Sequence, residues 1–147
     1  MSISASIDFN FYSSSVEITP LLLIKILISN GWSLLDCGGK SYLPIGDIDD
    51  FDWQYSKSIT DDEIMDICTI KFKNKEIIGL GLTWLDTNIG GNFLFHPEGG
   101  LSFLLNIKRI ENSSTTLTDF NWYLEKIVPV LIRNHIKVER VECSHMI

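Results

Sequence analysis

Residues 3–11 read ISASIDFNF, in which Ile3, Ala5, Ile7, Phe9 and Phe11 alternate with Ser4, Ser6, Asp8 and Asn10. Successive side chains of an extended chain point to opposite faces, so a two-residue period marks a strand with one apolar and one hydrated face. A sheet that is wet on one side is characteristically antiparallel, because parallel strands are covered on both faces by crossover helices. The fold class then depends on whether the flanking sequence supplies antiparallel partners and a helical layer.

Downstream, Thr19 and Pro20 form an N-cap with a first-turn proline, and Gly31 after Asn30 is a stop signal, which together predict a helix over Pro20–Asn30. Gly38-Gly39 separates Trp32–Cys37 from Lys40–Ile45, the pattern of a hairpin. Thr60 with Glu63 is a capping-box signature for a short helix over Asp61–Ile67. Cys68–Lys73 and Glu76–Leu85 read as a second hairpin around Asn74-Lys75, with Lys71, Lys73 and Lys75 on a solvated face. After a loop over Asp86–Asn92, strands are expected at Phe93–Phe95 and Leu101–Ile110. A helix over Thr118–Asn134, which Pro129 should kink or divide by starting a second segment, and a strand over Val138–Cys143 complete the chain. The fold class expected is α+β: one domain over residues 1–147, with a mainly antiparallel sheet and two main helices packed on one face.

The chain has 147 residues, 45% of them hydrophobic and 21% charged, enough apolar content for a core. Cys37, Cys68 and Cys143 are an odd, widely spaced set, which suits reduced thiols and a cytoplasmic location better than disulfides. The apolar run Leu21–Ile28 contains Lys25 and is too short for a membrane span, and no secretory signal is expected from it.

The formal net charge is −7, and its location is informative. Between residues 47 and 66 lie Asp47, Asp49, Asp50, Asp52, Asp61, Asp62, Glu63 and Asp66 against the single base Lys57, so the rest of the chain is balanced. Such a patch repels nucleic acid and anionic membrane and attracts a basic surface. Within it Phe51, Trp53 and Tyr55 alternate with Asp50, Asp52 and Gln54. Rings beside carboxylates suit a protein-binding surface, where aromatic anchors fill pockets and charges set register and association rate. The expected protein-binding residues are Asp47, Asp49, Asp50, Phe51, Asp52, Trp53, Tyr55, Asp61 and Asp62. The competing reading is that the rings dock the segment onto the core.

Other chemistries find little support. A calcium loop counted from Asp47 or Asp50 lacks its turn glycine and the bidentate glutamate. His96, His135 and His145 have no ligand at metal-binding spacing. Cys37 has no local catalytic signature, and the glycine pairs lack the lysine and helix of a phosphate cradle. No cofactor, metal, nucleic acid or small-molecule substrate is therefore expected, and neither is catalysis.

In length, acidity and α+β pattern over the whole chain, and in its richness in Ile, Asn and Ser, the sequence resembles immunity proteins of bacterial polymorphic toxin systems, including contact-dependent growth inhibition. That resemblance implies tight binding to a cognate toxin C-terminal domain, often a basic ribonuclease or deoxyribonuclease. These families share no functional residues, so none is carried over. The alternatives are a non-enzymatic adaptor or regulatory subunit that binds a host protein or itself and, furthest from the sequence, a small hydrolase using Cys37.

Overall fold

The computed structural model describes residues 2–147. In chain order the elements are β1 (Ser4–Tyr12), α1 (Pro20–Ile28), β2 (Trp32–Ser33), β3 (Lys40–Tyr42), β4 (Gln54–Ser56), α2 (Asp61–Lys73), β5 (Ile78–Trp84), β6 (Gly90–Phe95), β7 (Leu101–Ile107), α3 (Phe120–Arg133) and β8 (Lys137–Met146). The strands form one antiparallel sheet in the order β4-β3-β5-β6-β7-β1-β8, with β2 also paired to β5. This is an α+β fold. No described helix is long and apolar enough to cross a membrane.

The β1 alternation does what its period requires. Ala5, Ile7 and Phe9 are buried, while Asp8 and Asn10 are exposed. Across the sheet Ile7 lies opposite Phe103, Phe103 opposite Phe93, and Phe93 opposite Leu80, so one apolar stripe crosses four strands. Phe93 and Phe103 stack with centroids 3.9 Å apart, and the fully buried Trp32 meets both edge-on while its Nε1 donates to the Lys126 carbonyl at 3.2 Å. Leu23, Ile24 and Leu27 of α1, Ile64 and Cys68 of α2, and Tyr123, Ile127, Val130 and Leu131 of α3 complete the same core.

Three local expectations are corrected. Residues 68–73 are helical, because α2 continues from its capping box to Lys73. Asn74-Lys75 ends that helix and does not turn a hairpin: Glu76 N–H donates to the Lys71 carbonyl and Lys75 N–H to that of Phe72, the paired bonds of a Schellman cap, with Lys75 left-handed at φ +57°. The expected first hairpin does not form, since β2 pairs with β5 and not with β3, and only Asp36 and Gly39, whose backbones are bonded to each other, bridge a tight turn at Cys37-Gly38. In addition β4 forms within the acidic segment, α3 runs unbroken through Pro129, and β8 is longer than expected.

The sheet's second face is mostly polar but carries a small apolar cluster of Leu43, Ile77 and Leu94, covered by Trp53. Gly79 makes room for it, since a Cβ there would lie 2.6 Å from Leu43 and 2.7 Å from the Trp53 ring. Gly79→Ala is expected to force both side chains off their seats and to cost about 1–3 kcal/mol in urea denaturation, as overpacking does.

Candidate functional site

The acidic segment is held by one buried cation. Lys71 has no solvent exposure, and its Nζ donates to the Pro44 carbonyl at 2.7 Å, the Asp47 carbonyl at 2.9 Å and Glu76 Oε1 at 3.2 Å. Glu76 reaches this position because the Schellman cap folds the chain back over the last turn of α2. Its carboxylate also accepts from Gly46 N–H at 2.7 Å and Asn74 Nδ2 at 3.3 Å. Burial works to raise the Glu76 carboxyl. The bonds from Gly46, Lys71 and Asn74 and the charge of Lys71 outweigh it and hold the group below its ordinary value. Lys71 thus sits in the protein interior, and not on the solvated strand face expected for it.

Beyond Gly46 the loop is shaped by Asp47, which is only 6% exposed. Its Oδ1 accepts the N–H groups of Asp50 and Phe51 at 3.1 and 3.0 Å, and its Oδ2 that of Asp52 at 2.8 Å. Asp47 is therefore a scaffold and offers no charge to a partner. Asp49, Asp50 and Asp52 are exposed around it. Phe51 stands between the last two, 44% exposed and left-handed at φ +51°.

The rings divide. Trp53 docks on the apolar cluster of the second face, as the competing reading expects, whereas Phe51 is free. Tyr55 is half exposed, and its hydroxyl donates to the Cys37 carbonyl at 2.8 Å, with its ring over Gly39. Trp53 also walls a cleft of about 430 Å³ together with Asp36, Ser41, Asn92 and Asn106, residues the sequence did not single out.

Asp61 and Asp62 lie in the first turn of α2, ten and nine residues before Lys71, or about 15 Å along the helix axis from it. Asp61 is 3.3 Å from Lys40 Nζ, a pair whose carboxylate is exposed and whose energetic weight is therefore small.

Groups with nucleophilic chemistry are differently arranged. Burial pushes the Cys68 thiol up to about 12 against the pull of Lys71, so it stays protonated at neutral pH. Ser102 lies between His96 and Asp8, donating to Asp8 Oδ1 at 2.6 Å with His96 Nε2 at 2.8 Å. In a serine-histidine-acid triad the imidazole is the middle member and accepts the serine proton. Here that proton is directed to Asp8. No group of three or more His, Cys, Asp or Glu among the described residues is arranged to hold a metal ion.

Removing the cation should undo the loop. Lys71→Met leaves Glu76 without its partner and is expected to cost about 3–5 kcal/mol in urea denaturation. Adding Glu76→Gln should cost less than the sum of the two single changes, because the stranded charge is then removed. The Glu76 carboxyl is depressed in the folded state, so its stabilisation is complete above its unfolded value of about 4.5 and is lost as pH falls through the lower folded value. The stability difference between wild type and Glu76→Gln should therefore be constant from neutrality down to about 4.5 and shrink as pH falls from there toward the lower folded value.

Comparison with protein-family models, with curated proteins and with solved structures finds no match to this chain.

Proposed function

We propose that this chain is a toxin-neutralising protein that binds the basic surface of a cognate nuclease toxin domain through residues 49–55 and acts by occlusion, without catalysis. The observation that carries this reading is the posture of Phe51. A bulky residue at positive φ costs roughly 1–3 kcal/mol, and a ring still 44% exposed recovers only part of that in the free protein. Docking into a partner's pocket recovers the rest.

The surroundings of Phe51 support a basic partner. Asp49, Asp50 and Asp52 are exposed and flank Phe51 in the chain, and Asp47 and Lys71 hold the backbone of this loop, so little ordering entropy is lost on binding. Ribonucleases and deoxyribonucleases grip phosphates with Lys and Arg, which makes their clefts complementary to a fixed cluster of carboxylates. The rings then act as central anchors and the carboxylates raise the association rate. Tyr55 borders the anchor region, and the cleft between Trp53 and Asp36 suits a lysine or arginine side chain stacked on the indole. Asp61 and Asp62, exposed in the first turn of α2, add to the steering of a basic partner.

The test is binding to a basic nuclease domain encoded beside this chain. Phe51→Gly is expected to weaken binding at least about tenfold while leaving folding stability within about 1 kcal/mol of wild type, since glycine relieves the strained φ. Asp49, Asp50 and Asp52 changed together to Asn should slow association and flatten its salt dependence. Unchanged affinity and an unchanged salt slope in both variants would remove the loop from the interface.

A further inference from the structure

We propose, from features separate from the acidic loop and independently of the function above, that a second copy of this chain docks on strand β8, joining two sheets across a two-fold axis. β8 spans ten residues and pairs only with β1, so the outward N–H and C=O groups of its other edge have no strand partner among the described residues. Residues 139–144 are all exposed. The opposite edge of the sheet, β4, has three residues. A long free edge is a ready template for a further strand.

The sequence of β8 selects both partner and register. Two copies joined edge to edge into one antiparallel sheet are related by an axis perpendicular to it. Side chains facing the same side must then meet, and one residue pairs with itself on the axis. An axis at Glu139, Arg140 or Glu142 opposes like charges. Glu139 is also the bulged residue between the Asn10–Arg140 and Phe11–Val138 pairs. An axis at Cys143 sets Arg140 against Met146 and Glu142 against Ser144, with no charge pairing.

An axis at Val141 sets Arg140 of each copy against Glu142 of the other, twice. Within one chain these two side chains already form an exposed ion pair on one face of the strand, so the dimer brings four alternating charges together. Val141 meets its own copy on the opposite, core-facing side. That side chain lies opposite Phe9 yet is 42% exposed, because nothing flanks it beyond the edge.

Sedimentation equilibrium of the full chain over a wide concentration range tests this. The wild type should show a concentration-dependent dimer. Arg140→Glu alone and Glu142→Arg alone each oppose like charges at two positions and should weaken association roughly tenfold. Both changes together restore opposite charges across the axis and should recover it. Circular dichroism should be the same for all four proteins, since an exposed pair carries little folding energy. A single 16.7 kDa species at every concentration would overturn the proposal. So would single changes without effect, the outcome of an axis at Cys143, or a double change without recovery.

Discussion

The ammonium of Lys71 is the contact on which the functional surface depends. A lysine withdrawn from water is tolerable only when its three protons are matched, and here two backbone carbonyls and one carboxylate match them. Both carbonyls belong to the stretch from Pro44 to Asp47, so meeting the needs of the buried charge fixes the base of the acidic loop. Glu76 then links the same cation to Gly46. The loop is thus tied to the end of α2 by electrostatics and has almost no apolar core of its own.

This explains how several like charges coexist on a short stretch without spreading it apart. Asp47 turns inward and binds three backbone N–H groups. Their positive dipoles offset its charge, and the carbonyls of Pro44 and Asp47 face a full cation. What is left outside is three exposed carboxylates and the half-exposed ring of Phe51. On the sheet's second face Trp53 holds the far end of the loop above Gly79. The display is rigid because each end is fastened by a different kind of interaction, ionic at Lys71 and apolar at Trp53.

Much of the architecture was legible because its signals are local. The alternation of β1, the Thr19-Pro20 start of α1 and the Thr60–Glu63 box all have their reasons within a few residues. Residues 68–73 misled for a specific reason. Cys68, Ile70 and Phe72 alternate like a strand, while the helical stripe Ile64, Cys68, Lys71 and Phe72 is interrupted by a lysine where an apolar residue is expected. Only the contacts with Pro44, Asp47 and Glu76 make that lysine a core residue, and those lie 27, 24 and 5 residues away. In the same way composition located the acids but not their directions. The inward turn of Asp47 is set by the backbone of Asp50, Phe51 and Asp52.

Amide hydrogen exchange of the free protein tests most directly whether a buried cation and an inward aspartate hold the loop in its display conformation. The amides of Gly46, Asp50, Phe51 and Asp52 are expected to exchange far more slowly than those of an unstructured peptide, and to lose that protection in Lys71→Met while the amides of β6 and β7 keep theirs. Exchange of those four amides at the unstructured rate in the wild-type protein would contradict the account, because the carboxylates and Phe51 would then have no fixed arrangement to offer a partner.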